Sequence, residues 1–270
     1  MIYEGGTLIL KAGTDARYLA VADVVLEKRE SRGRIQVSMR PEWKLVSTAG
    51  VAPDPEVAAL VKTYEDPLDA KLDVAVGATS VALDSRRATV RSQESTMGNL
   101  IADAIREGVS ADIGLTNGGG IRGDRTYPAG ATLTAKDILT KLPFGNVTVL
   151  IELTGAQLIE ALENGVSRIE DTAGRFPQVS GLTFAFDPNR TPGERLHDVK
   201  MVARPLDPAR IYRVATNDLI HAGGNGYTTL AYGRPIIDAA GAKLMATMVM
   251  DYIAERGTIA SKLEGRITTR

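Results

Sequence analysis

The sequence contains no cysteine, which excludes disulfides and thiolate chemistry. That absence fits an oxidising or a reducing compartment equally, so it does not locate the protein. Histidine is nearly as scarce, with only His197 and His221. Charge of one sign is missing too: Lys+Arg 32 against Asp+Glu 33 leaves a net charge of -1. A chain so balanced has no electrostatic footprint for DNA or RNA, and a polymeric nucleic-acid partner is excluded on that ground. No apolar run approaches the roughly 18 residues of a membrane-spanning helix. The opening Met1-Ile2-Tyr3-Glu4-Gly5-Gly6 shows no basic-then-apolar signal pattern. No Gly-x-Ser-x-Gly elbow, Walker loop or dinucleotide fingerprint occurs.

What is present is ordinary globular material. The chain has 270 residues, 44% hydrophobic and 24% charged, enough for one large or two modest domains. Residues 7–45 read as strands: Leu8-Ile9-Leu10, then Leu19 to Leu26, then the alternating Arg34-Ile35-Gln36-Val37-Ser38-Met39 after Gly33. A hairpin of this size cannot close a core alone, so it reads as the trailing edge of a larger domain. Asp54 as N-cap and Pro55 at the first helical position open a helix with Val57, Leu60, Val61 and Tyr64 on one face. Pro67 is expected to kink or end it. The segment from Thr48 to about Lys71 thus reads as a connecting helix.

Beyond it, helices are predicted over Met97–Val109, Thr134–Leu139, Thr154–Val166, where Thr154 and Gln157 form a capping box, and Ala242–Arg256, closed by Gly257. Strands are predicted at Ile113–Leu115, Val147–Leu153, Val179–Phe186, Val199–Val202 and Ile211–Thr216. Helices and strands interleave without a regular βαβ rhythm, which predicts an α+β fold, layered mixed sheet and helices, over a doubly wound sheet.

The centre of the chain is Thr116-Asn117-Gly118-Gly119-Gly120-Ile121-Arg122. Three glycines allow positive φ, or let another group approach bare amides. Successive N–H groups there can form a concave anion site, and Arg122 adds a planar donor fork; a plain glycine turn with a solvated arginine is the other reading. Arg87 and Arg91 lie four apart upstream of a helix, either as surface arginines or as further anion donors. Phe144, one of four phenylalanines, lies between Pro143 and Gly145, either in a core or facing a ligand. His197 sits in the polar turn Arg195-Leu196-His197-Asp198 and reads as a surface residue. His221, near the second glycine loop, reads as a solvated loop histidine or a ligand contact.

Together these motifs resemble a known family. The set Arg91 with Glu94-Ser95-Thr96-Met97-Gly98-Asn99-Leu100-Ile101-Ala102-Asp103-Ala104, Asn117-Gly118-Gly119-Gly120-Ile121-Arg122, Pro143-Phe144-Gly145-Asn146, Phe176-Pro177-Gln178-Val179-Ser180-Gly181, and Ala215-Thr216-Asn217-Asp218 with Gly223-Gly224-Asn225-Gly226-Tyr227 resembles the C-terminal domain of the 5′-nucleotidase, 2′,3′-cyclic phosphodiesterase and UDP-sugar hydrolase family. The resemblance covers about residues 75–255. It implies three parts: residues 1–47 as trailing strands of an otherwise missing metallophosphatase domain, 48–74 as connecting helix, and 75–270 as the substrate-binding domain.

The resemblance further implies that the N-terminal domain holds two divalent metals and performs hydrolysis, while this chain holds a nucleotide or nucleoside, binds no cofactor and carries no catalytic residue. Neither histidine can assemble a bimetal centre. Arg87, Arg91 and Arg122 would meet phosphate and ribose. Asn117, Gly119 and Gly120 would lend donors, Phe144 would stack on the base, and Asn146 would bond its edge. Gly181, Leu219 and Asn225 complete the implied site. At Leu219 the family usually has a second aromatic ring, and at Asn225 an aspartate. A periplasmic or secreted location and pairing of two copies through this domain are also implied. Two alternatives remain: a relative acting on sulfur esters or another non-nucleotide, favoured by Leu219 and Asn225, and a non-catalytic binding or dimerisation module.

Overall fold

The computed structural model describes residues 2–4, 7–13, 16–31 and 33–270. Met1, Gly5 and Gly6 of the opening stretch lie outside them. The chain divides into two units, Met1–Glu65 and Asp66–Arg270.

In the first unit, Ile2–Glu4 pairs with Thr7–Ile9, and Tyr18–Ser31 forms an antiparallel hairpin with Arg34–Ser47, from Tyr18 opposite Ser47 to Ser31 opposite Arg34. The hairpin is longer than the alternating sequence suggests, because pairing continues through charged positions such as Lys28, Arg29 and Arg40. Two strands cannot bury their side chains, and Leu19, Val24, Leu26, Val37 and Trp43 are exposed.

Asp54 caps the following helix, Pro55–Leu72, with Oδ1 accepting the Glu56 and Val57 N–H groups, each at 3.0 Å. The helix continues through Pro67 instead of ending there. None of its residues is buried, so the Thr63 carbonyl that Pro67 leaves without a donor is open to water.

The second unit is built on a mixed sheet in the order Pro177–Ser180, Ile113–Asn117, Ile211–Asn217, Val147–Thr154, Arg234–Ile237, with Lys243–Leu244 also pairing Val147–Thr154. Only Ile113–Asn117 and Ile211–Asn217 run parallel in it. Side chains alternate across the sheet as strand geometry requires. Ile113, Leu115, Val149, Ile151, Leu153 and Val214 face the helix Gly155–Val166 and Phe176, Phe184 and Phe186. Leu150 and Ala215 face the helices Thr96–Gly108 and Met245–Arg256 through Leu100, Ile101, Ile105, Val249 and Ile253. The expected capping box at Thr154 and Gln157 is formed, and Thr134 makes another with Asp137.

Several boundaries differ from the sequence reading, among them the strand predicted at Val199–Val202, which is Leu196–Met201; two have a clear physical reason. The run from Val179 to Phe186 is two strands: Pro177–Ser180 in the central sheet and Thr183–Phe186 in a second sheet with Leu196–Met201 and Ile267–Thr269. They part at Gly181, whose φ of +80° no β-branched residue would adopt readily. The last helix starts at Met245 because Lys243–Leu244 is taken up by strand pairing.

The C-terminal segment is locked to this frame by Arg266. Its guanidinium meets both Asp103 carboxylate oxygens at 2.8 and 2.9 Å and donates to the Val179 carbonyl at 3.0 Å. The Ser180 hydroxyl donates to the same carboxylate at 2.6 Å and accepts from Arg106 Nε at 2.6 Å. Both members of the pair are largely buried. Arg266→Ala is expected to cost about 3 kcal/mol in chemical denaturation, because it strands a buried carboxylate. Adding Asp103→Ala should recover part of that loss.

Candidate functional site

The strand Ile113–Asn117 runs into the three glycines, and there backbones approach most closely. Gly118–Gly120 form a turn of 3-10 helix, and none of the three has positive φ. Glycine is required for proximity instead. A Cβ on Gly118 would lie 2.0 Å from the Val90 carbonyl oxygen, and one on Gly119 would lie 2.8 Å from that of Gly174. The Gly118 N–H donates to the Phe176 carbonyl and the Gly119 N–H to the Gly174 carbonyl, both at 2.7 Å. These two amides serve the fold and are not free to cradle an anion. A Cβ on buried Gly120 would lie 3.3 Å from Asn117 Oδ1.

Asn117 is engaged in the same way. Its Nδ2 donates to the Gly174 carbonyl at 3.3 Å and its Oδ1 accepts from Asn217 Nδ2 at 3.0 Å. Asn217 in turn caps the short helix Asp218–His221 by accepting the Ile220 N–H at 3.0 Å. Asn117, only 1% exposed, ties three segments together; its amide is a brace in the fold, where the sequence suggested a ligand donor.

The Arg91 segment is held against this junction by two side chains of the same motifs to which the sequence reading gives no role of their own. Gln178, fully buried, accepts the Ser95 N–H at 3.1 Å and donates to the Val90 and Gln93 carbonyls at 3.1 and 2.8 Å. Glu94, also buried, accepts from Asn99 Nδ2 at 2.6 Å and from the Glu264 and Arg266 N–H groups at 2.7 and 2.9 Å. The available signal was a long polar residue inside an otherwise apolar strand, Pro177-Gln178-Val179. Polarity there is tolerated only when every group finds a partner.

Arg91 is 8% exposed, and its Nε is buried with no hydrogen-bond partner. Burial, followed by repulsion from Arg87 and Arg122, holds its pKa below the usual arginine value. Arg87 and Arg122 are exposed beside it. Asp124 Oδ1 accepts the Arg87 N–H at 2.8 Å, joining the short helix Arg87–Val90 to the turn after Arg122. Among the described residues no carboxylate pairs with any of these three guanidinium groups. The contrast with other sequestered arginines is plain: Arg195 pairs with Glu170, and Arg266 with Asp103.

Phe144 is 54% exposed, so it belongs to no core, and the Arg122 guanidinium lies over its ring at 4.9 Å from the centroid. Asn146 Nδ2 donates to Asp218 Oδ1 at 2.8 Å, which ties the Phe144 loop to the helix that carries Leu219. Leu219 is 47% exposed and packs against Gly224. Asn225 is exposed at φ 57°, a left-handed conformation that asparagine tolerates, and its carbonyl accepts from Asn164 Nδ2 at 3.3 Å.

The three arginines, Asn117, Gly119, Gly120, Phe144, Asn146 and Leu219 therefore gather at one end of the central sheet, and the loop with Asn225 follows the Leu219 helix. Gly181 does not join them. Pro177 pairs with Asn117 but Ser180 with Gly114, so Gly181 lies at the opposite sheet end, about 10 Å or more along the strand. Its contact there is the Asp112 carbonyl, 2.3 Å from where a Cβ would lie. His197 is half-buried in a separate groove of about 870 Å³ along the helix Gly155–Val166, which none of the implied site residues lines. His221 is half-buried at the end of its short helix. No group of three or more His, Asp or Glu side chains among the described residues could hold a metal ion.

Beneath the Arg122 turn lies an unexpected cation. Lys141 is 1% exposed, its Nζ has no hydrogen-bond partner, and its carbonyl accepts the Arg122 N–H at 2.9 Å. Gly123, at φ +89°, makes room, since a Cβ there would lie 2.1 Å from Nζ. Burial, then the Arg125 charge, pushes the Lys141 pKa down to about 8, against upward pulls from Asp137 and Asp124. The unfolded chain, with lysine near 10.5, binds the proton more tightly, so this lysine destabilises the fold below pH 8 and the penalty is relieved as pH rises from about 8 to 10.5. Lys141→Met should therefore be more stable at pH 7, by at most about 3 kcal/mol. The advantage should shrink across that window when both proteins are unfolded in urea at each pH.

Residues 75–232 match the family model described as 5′-nucleotidase, C-terminal domain. The trifunctional nucleotide phosphoesterase protein YfkN of Bacillus subtilis is 35% identical over 234 residues, which are 83% of this chain and 16% of that protein. Protein UshA of Escherichia coli is 32% identical over 244 residues, 84% of this chain and 42% of that protein. The crystal structure of the 5′-nucleotidase precursor from Thermus thermophilus superposes with a TM-score of 0.75 at 34% identity, covering 94% of this chain and 50% of the other. The chain thus spans half or less of the length of these relatives. Among the described residues no helix is long and apolar enough to cross a membrane. By the matched domain and by these relatives, the chain belongs to the 5′-nucleotidase family, of which it carries the C-terminal domain.

Proposed function

We propose that the arginine-bearing end of the central sheet binds a nucleotide, with the phosphate on Arg87, Arg91 and Arg122 and the base on Phe144. One observation carries this reading: Arg91 is buried beside two other arginines with no carboxylate, whereas Arg195 and Arg266 each have one. A sequestered guanidinium needs a counter-charge, and a bidentate oxyanion supplies it. Exposed Phe144 gives a stacking surface within reach of that anion, and Asn146, held by Asp218, lies at its edge. Leu219 offers an apolar face and Asn225 a hydroxyl partner for a ribose. Asn117, Gly119 and Gly120 support this floor from within.

In this reading residues 75–270 are the substrate-holding half of a phosphoester hydrolase. Residues 1–47 are the last strands of a metallophosphatase domain that covers their exposed apolar side chains, and 48–74 connect the two. In this reading the two divalent metals belong to that other domain; among the described residues here no group of three or more His, Asp or Glu side chains could hold one. When bound there they would activate water for hydrolysis. A periplasmic or secreted location and a homodimer follow from the family resemblance alone. Leu219 and Asn225, in place of the family's ring and aspartate, favour a second reading in which the anion is a sulfur ester or another ligand with no base.

Calorimetric or NMR titration with AMP, adenosine and uridine tests the two readings. AMP should bind, and Phe144→Ala should weaken it about tenfold, as expected for loss of a stacked base. Equal AMP affinity in both proteins would favour the baseless ligand, and no binding of AMP at any concentration would sink the site. The chain alone is expected to release no phosphate from AMP in manganese, zinc or cobalt. Turnover that persists through repurification and tracks the protein peak would overturn the assignment of chemistry to the other domain.

A further inference from the structure

Arg122 serves two neighbours at once. On one side its charge acts on Arg91, within the cluster proposed above to hold an anion. On the other its guanidinium lies over the Phe144 ring at 4.9 Å, the only ring or cation contact found for Phe144 among the described residues. Its backbone is fixed, with the N–H bonded to the Lys141 carbonyl at 2.9 Å, while its side chain is exposed and has no carboxylate to anchor it. The side chain can therefore swing while its base stays in place. While it lies there, the ring face it covers is closed to a stacking ligand.

We propose that Arg122 makes stacking on Phe144 conditional on an anion: without one the guanidinium covers the ring, and an oxyanion at Arg87 and Arg91 draws it off and bares the ring. This inference rests on the nucleotide reading and adds selectivity to it. The site favours a phosphorylated nucleoside over the free nucleoside, so the dephosphorylated product meets a ring that is covered again. The energetics permit the exchange. A solvent-exposed cation–π contact is weak, and a charge-assisted guanidinium–oxyanion pair is stronger. Because the coupling cannot exceed the strength of the contact that is broken, it should amount to a two- to fivefold change in affinity. Linkage makes it reciprocal: the anion tightens the nucleoside, and the nucleoside tightens the anion by the same factor.

The test uses sulfate, whose charge does not change between pH 6 and 9, and adenosine as separate probes at constant ionic strength. In the wild-type chain, saturating sulfate should tighten adenosine two- to fivefold, and adenosine should tighten sulfate equally. Arg122→Gln should bind adenosine more tightly than wild type without sulfate and show no enhancement with it. Unchanged adenosine affinity with sulfate in wild type, or enhancement that survives in Arg122→Gln, overturns the proposal while leaving the nucleotide site standing. Absence of adenosine binding in both proteins overturns it together with the base-binding reading. A ligand-free measurement judges it independently. The Arg122 side-chain proton resonances should carry an upfield ring-current shift that Phe144→Leu abolishes and sulfate reverses; a shift indifferent to sulfate sinks the idea.

Discussion

Two backbone contacts, Gly118 under the Val90 carbonyl and Gly119 against Gly174, fix how the segments meet at the arginine-bearing end of the central sheet. Neither neighbour can rotate aside, because both are main chain. The strand Ile113–Asn117 can therefore meet the Arg91 segment and the Gly174–Phe176 segment only if it ends in residues without side chains. Gln178 and Glu94 complete the clamp from the sheet and from the C-terminal segment. Glycine here confers precision of placement, since positive φ is not used at any of the three positions.

The clamp carries an electrostatic cost that the fold does not offset. Bringing Arg91 into the interior beside Arg87 and Arg122 concentrates positive charge where little water can screen it. Elsewhere the chain answers the same problem with carboxylates, in the Arg195–Glu170 and Arg266–Asp103 pairs. At the sheet end it does not, and just beneath lies Lys141, whose buried Nζ has no hydrogen-bond partner and faces the Tyr127 ring at 5.0 Å. Local rules of charge pairing are broken at this sheet end, and that is where a ligand is proposed to complete them.

The apolar half of the site is less pre-organised. Phe144 and Leu219 are both about half exposed, on a loop and a short helix joined by the Asn146–Asp218 hydrogen bond. The charged part is thus braced by buried polar groups, while the apolar part stands on a loop and a short helix. The exposed hairpin of the first unit presents the opposite case, apolar strands without a core. In the proposed reading a neighbouring domain supplies that core.

Much was readable in the linear text, for a physical reason. Helix starts and stops depend on local signals, and Asp54, Thr154 and Gly257 stand where capping chemistry placed them. Alternation along Arg34–Met39 and the β-branched run Val147–Leu153 each marked a strand, because side-chain period and shape suit a pleated surface. Motif order identified the family. Legibility failed where the answer depends on residues distant in sequence. Gly181 sits in a motif with Gln178, yet strand direction carries it to the far end of the sheet. Asn117 looked like a ligand donor until Asn217, a hundred positions away, was found to use its amide oxygen. The burial of Arg91 and Lys141, and the lack of a carboxylate paired with the three guanidinium groups, are properties of packing that no local pattern encodes. Composition, capping and motif order thus determined the class and the family, because those are local and additive. Which donors remain free for a ligand was decided by tertiary structure alone, because hydrogen-bond satisfaction and desolvation depend on every neighbour at once.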